Sequence, residues 1–195
     1  MRNVLLLVAG VISCIASIPY IIDAFKGKTK PNIASWSTWS LLNTIIIVAA
    51  LASHDAMNTV ILGASYLFGS LTILLIAIFK GTRKYTLFDG VCQAVAIIGV
   101  ILWQLANNPN IALLFVILVD VSAVLPTLRH AYRYPKEETW LTFALAAFAA
   151  LLLTCLATNR TFAALAITIE ATVVNSLLAT VIVYRQKTKG STPPA

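Results

Sequence analysis

Seven long apolar runs constrain this chain more than any other feature: residues 4–25, 34–52, 57–79, 88–106, 111–128, 140–157 and 162–184. A helix needs about 20 mostly apolar residues to cross the hydrocarbon core of a bilayer. Backbone polar groups there can be satisfied only within helices or closed barrels. The chain is 59% hydrophobic and 11% charged, against about 45–50% and about 25% in soluble domains. The pattern therefore predicts an all-α membrane protein with seven transmembrane helices. The connections are short, the longest being 26–33 and 129–139, and leave no room for a soluble domain.

Lysine and arginine set the expected orientation. Twelve cations fall on one side of the spans: Lys26, Lys28, Lys30, Lys80, Arg83, Lys84, Arg129, Arg133, Lys136, Arg185, Lys187 and Lys189. Only Arg2 and Arg160 fall on the other. The N-terminus is expected outside and the C-terminus inside a prokaryotic cytoplasmic (inner) membrane. Topology accounts for the net charge of +7, so no nucleic-acid partner is expected. Cys14, Cys92 and Cys155 lie far apart in apolar runs, which argues against a disulfide framework or a zinc site. No HExxH, GxSxG or phosphate-loop pattern occurs, and His54 and His130 sit at loop edges on opposite sides. Neither an enzyme nor a cofactor is expected.

Local signals agree with the spans. Thr86 and Asp89 have capping-box spacing before the fourth run. Glu137 and Glu138 stand where the sixth helix should begin, favourably for its dipole. Ser53–Asp55 and Asn107–Asn110 read as turns, and 188–195 as a disordered tail. Arg2, the following apolar run and Cys14 look like a lipoprotein signal. The run continues to Phe25, however, which favours a membrane span.

The chain also repeats itself. Placing Pro19 on Pro126 brings Ala24-Phe25-Lys26 onto Ala131-Tyr132-Arg133. With a three-residue gap it brings Ser35-Trp36-Ser37-Thr38-Trp39 onto Thr139-Trp140-Leu141-Thr142-Phe143. Phe79-Lys80 then corresponds to Tyr184-Arg185. Spans 1–3 return as spans 5–7, and a single linking span keeps both triplets in the same orientation. The expected units are 1–86, a first three-helix bundle; 87–107, a linker helix; and 108–187, a second three-helix bundle. A parallel 3+1+3 duplication with a proline in the first helix of each triplet and a short basic loop after it resembles the SWEET/PQ-loop superfamily. That group includes sugar transporters, lysosomal cystine and amino-acid exporters and the KDEL receptor. Tyr20 and Thr127 stand where its Pro-Gln pair has glutamine. Its pocket asparagines correspond to Asn175 in the second triplet, while the first has Ser70. Nicotinamide riboside transporters share the 3+1+3 plan, so architecture alone does not choose a substrate.

Polar groups inside spans are the candidate machinery. A centrally placed Asp costs about 3 kcal/mol on the translocon scale, so such groups face a bundle interior or a pathway. Asn43, Asp120, Glu170 and Asn175 fall near mid-depth, where transporters bind substrate between repeats. Trp39 shares a helical face with Trp36, Ser40 and Asn43. Trp39, Asn43, Asp120, Glu170 and Asn175 are the predicted substrate-binding residues. Asp120 and Glu170 are also the predicted proton-coupling groups, with helix-joining hydrogen bonds as the alternative. Trp36, like Trp140, reads as an interfacial anchor. Thr168, Thr172, Asn175 and Ala179 form a small-polar face that serves either a ligand or helix packing. Pro19 and Pro126 are the predicted hinges, because each removes a helix hydrogen bond.

These features predict a secondary transporter or facilitator of a small polar solute (sugar, amino acid or vitamin-like) working by alternating access, with proton coupling left open. The rivals are a non-transporting ligand-binding receptor or sensor, and an accessory membrane subunit, on the same scaffold. The expected partners are the solute and the bilayer; homo-oligomerisation stays open.

Overall fold

The computed structural model describes residues 2–52, 57–82, 85–106, 108–157 and 162–190. The turn expected at 53–55, Arg83, Lys84, Asn107, Arg160 and residues 191–195 lie outside the described residues. Helices follow the apolar runs: α1 (Arg2–Ile15), α2 (Ile18–Phe25), α3 (Ile33–Ala52), α4 (Met57–Lys80), α5 (Leu87–Leu105), α6 (Pro109–Arg133), α7 (Trp140–Leu156) and α8 (Phe162–Gly190). One 3-10 turn, Pro135–Glu137, precedes α7, and no strand occurs among the described residues.

Four helical stretches are long and apolar enough to cross a membrane: Val4–Phe25, Leu87–Leu105, Leu113–Arg133 and Leu165–Thr188. Tyr66–Lys80 and Trp140–Leu156 are shorter apolar helices. Large apolar side chains point outward on every side, among them Leu7, Phe68, Leu75, Ile97, Phe148 and Val173. So much exposed apolar surface suits a lipid solvent and not water. The chain is an all-helical protein of membrane type.

Helix ends follow from local chemistry. Thr86 and Asp89 form the reciprocal capping box that opens α5, with Asp89 Oδ2 accepting the Thr86 N–H at 2.7 Å. Asn32 starts α3, its Oδ1 accepting the Ala34 N–H at 2.8 Å. Asn32 also donates to Asp89 Oδ1 at 3.2 Å, which ties the two helix starts together. Gly27, at φ +73°, stops α2 in the left-handed conformation glycine tolerates. Two boundaries differ from expectation. Pro109 and Asn110 open α6 instead of completing a turn, because proline suits the first helical position and Asn108 Oδ1 receives the Ile111 N–H at 3.4 Å. At the other end α8 runs on to Gly190, so 188–190 continue a helix through the good helix formers Gln186 and Lys187.

The helices pack around a core of Tyr20, Trp36, Ile73, Val124, Phe143 and Leu178, drawn from α2, α3, α4, α6, α7 and α8. Within the chain's first half, α2 and α3 lean on α4; within the second, α6 and α7 lean on α8. Between the halves, α1 and α2 contact α7, and α3 contacts α6. The linker α5 lies against α6 and α3.

Candidate functional site

Three of the predicted residues meet. Trp39 of α3 donates its indole N–H to Asp120 Oδ1 of α6 at 3.0 Å. The Asp120 carboxyl also neighbours the Glu170 carboxyl on α8 and interacts with it. One oxygen of Glu170, Oε1, is buried with no hydrogen-bond partner among the described residues. The site thus joins the two halves of the chain through the hydrogen bond from the Trp39 indole to Asp120, with Glu170 beside it in the second half.

The other two predicted binding residues point elsewhere. Asn43 lies 3.5 Å from Ser70 Oγ and faces α4. Asn175 donates back to the Ala171 carbonyl of its own helix at 2.8 Å. Thr168 and Thr172 likewise bond to carbonyls of α8. Serine and threonine hydroxyls readily make such i−3 and i−4 bonds, so a polar face in sequence is not by itself a polar face toward a ligand.

An aromatic stack links the carboxyl pair to the basic-loop end. The Trp39 ring meets Trp36 edge-on at 4.8 Å between centroids, and Trp36 meets Tyr20 at 4.9 Å. Trp36 is 7% exposed, which corrects its reading as an interfacial anchor. Its indole N–H faces Tyr20 Oη at 3.4 Å, and Tyr20 Oη donates to Glu138 Oε2 at 3.0 Å. Trp140, by contrast, is exposed.

Glu138 is the functional candidate that sequence reasoning passed over. It does not sit free at the start of α7 complementing a dipole; it is 3% exposed, with Oε1 unpartnered among the described residues. Burial pushes its carboxyl well above the ordinary range; the Tyr20 hydrogen bond opposes this and neighbouring Glu137 adds to it. Glu137 is itself ion-paired with Lys30. Around Glu138, Thr139 hydrogen-bonds Thr29 and donates to Asp23 Oδ2 at 3.0 Å, knitting the two basic loops together. The alignment of the repeats gave no signal for it, since it sets Thr139 against Ser35, which lies within α3.

The two prolines behave differently. Pro19 follows a true break, with α1 ending at Ile15 and α2 starting at Ile18. The Tyr20 N–H bonds across to Thr142 Oγ1 of α7 at 3.1 Å. Pro126 lies inside unbroken α6. There the cross-contact is made by a side chain, Thr127 Oγ1 to Ser35 Oγ at 2.8 Å. If both prolines act as hinges of a transporter, Pro126→Ala restores a backbone hydrogen bond worth about 1 kcal/mol inside α6. Pro19→Ala, in the first turn of α2, restores none and only frees the backbone. Each substitution is then expected to slow transport, Pro126→Ala by about fivefold, while folding and ligand affinity hold. Loss of stable protein with no slowed transport in the folded fraction would assign the prolines to packing.

No family model, curated protein or solved structure matches the chain.

Proposed function

We propose that this protein is a secondary transporter of a small polar solute, proton-coupled and working by alternating access. In this reading it has seven spans in a 3+1+3 plan, similar to the SWEET/PQ-loop superfamily, in a prokaryotic cytoplasmic membrane. α1 with α2 forms the first span, and α3 to α8 form one each. Exchanging spans 1, 2 and 3 for 5, 6 and 7 turns the packing of α2 on α4 into that of α6 on α8. The same exchange turns α3 on α4 into α7 on α8, and α2 on α7 into α6 on α3. That correspondence supports the duplication.

The observation that carries the function is the Trp39–Asp120–Glu170 cluster. Carboxyl groups at membrane depth with no cationic partner among the described residues are costly, and groups kept at that cost mark solute and proton pathways. Both carboxyl groups belong to the second half, and the Trp39–Asp120 hydrogen bond crosses to the first, where relative motion of the halves would make and break it. The test is uptake of sugars, amino acids and vitamin-like solutes into proteoliposomes, with and without a proton gradient. Gradient-dependent accumulation is expected for one class. Saturable binding with no flux would make the protein a receptor or sensor.

Orientation has its own test, resting on the twelve-to-two division of cations. A cysteine at Thr188 is expected to react only from the cytoplasm and one at Asn108 only from outside. Labelling of both from one side would remove the odd number of spans.

A further inference from the structure

At the basic-loop end, well away from the carboxyl pair, a cleft of about 600 Å³ opens between the end of α4 and the adjoining ends of α5 and α6. Four cations line it, Lys30, Lys80, Arg129 and Arg133, against two carboxylates, Asp89 and Glu137. Both carboxylates are already engaged: Asp89 in the α5 capping box and with Asn32, Glu137 with Lys30. Among the described residues, neither Lys80 nor Arg129 is in an ion pair. Lys80 donates to the Phe25 carbonyl at 2.7 Å and lies 4.8 Å from the Phe25 ring centre. Arg129 donates to Thr86 Oγ1 at 3.0 Å and lies 4.8 Å from the Phe88 ring centre. An ammonium has three donors and a guanidinium five, so both keep donors for an anion. Thr82 and Thr86 add hydroxyl-bearing side chains to the wall.

The surroundings of the cleft are apolar. Phe79, part of its wall, is 80% exposed, and Leu87, next to Thr86, is 86% exposed. A cation-lined cleft beside outward-facing phenylalanine and leucine matches a ligand whose phosphate is attached to hydrocarbon. Basic hollows between helices on the cytoplasmic side of membrane proteins suit anionic headgroups. We propose that this cleft binds a phosphate group, and that the phosphate belongs to an anionic phospholipid of the inner leaflet. The proposal rests on the membrane orientation given above and is independent of whether the protein moves a solute.

The test uses the full-length protein in neutral-detergent mixed micelles, with bound lipid counted by native mass spectrometry. Phosphatidylglycerol is expected to bind at least about fivefold more tightly than phosphatidylcholine. Lys80→Gln is expected to weaken phosphatidylglycerol binding about fivefold, the value of one surface cation, and to leave phosphatidylcholine binding unchanged. Arg129→Gln in addition is expected to abolish the preference. The single variant changes only a lysine that touches a carbonyl and a ring, and its melting temperature in phosphatidylcholine micelles checks its fold. Equal binding of the two lipids by the wild type, or an unchanged preference in folded Lys80→Gln, would overturn the proposal. Saturable, Lys80-dependent binding of inorganic phosphate with no preference among lipids would keep the phosphate and overturn the lipid as its source.

Discussion

Asp120→Asn is expected to abolish uptake driven by a pH gradient while sparing ligand binding and counterflow exchange. The substitution separates two things one carboxyl does at this position. As an acceptor, Asp120 holds the Trp39 indole N–H through Oδ1 at 3.0 Å; the amide carbonyl of asparagine can do the same. In the proposed coupling role, it would carry a proton beside the neighbouring Glu170 carboxyl. The asparagine NH2 can donate toward Glu170, but it cannot release that proton when the path opens to water. Geometry is therefore preserved and titration is lost. The measurement compares flux of the transported solute with and without a gradient, and then exchange at equal pH, for wild type and variant. Full gradient-driven uptake by the variant would make Asp120 a structural link, with Glu170 the next candidate for coupling. Loss of both gradient-driven uptake and exchange, in folded protein, would place Asp120 in ligand binding.

Much of the architecture was legible because lipid imposes a coarse rule. Apart from the break in the first run and the longer C-terminal ends of α6 and α8, the apolar runs and the helices agree to within a few residues, since hydropathy and helix formation are governed there by the same exclusion of water. Which polar residues meet is set by side-chain direction, which spacing constrains only loosely. Trp39, Asp120 and Glu170 come together, whereas Asn43 turns to Ser70 and Asn175 folds back on Ala171. The prolines show the same limit. Both remove a donor, yet only the first helix breaks. Tyr20 makes its cross-contact with its backbone N–H, while Thr127 has a hydroxyl with which to do so. Glu138 was hidden for a related reason. A glutamate beside a helix start reads as a surface charge, and only the packing of Tyr20 against Trp36 and Phe143 shows that it is enclosed.

That enclosure gives Glu138 a measurable signature. Burial raises its folded-state pKa well above the ordinary 4.5, so the folded protein takes up the proton more readily than the unfolded chain. Stability therefore falls as pH rises wherever the folded state binds the extra proton. The contribution is complete below about pH 4.5 and is lost as pH climbs through the raised value. At high pH the carboxylate must either stay charged among apolar neighbours or pull away from Tyr20. Glu138→Gln retains an oxygen to accept the Tyr20 hydroxyl at the position now 3.0 Å away, and it cannot ionise. The variant is expected to match wild type near pH 5 and to melt higher above pH 8. Each kcal/mol of relieved penalty should appear as about 2–4 °C in a chain of this size. Thermal unfolding across pH 5 to 9 in one detergent reads the difference directly. Parallel melting curves for wild type and Glu138→Gln over that range would mean that Glu138 reaches water in the folded protein. The Tyr20–Glu138 contact would then be a surface hydrogen bond, and the basic-loop end of the aromatic stack would be open.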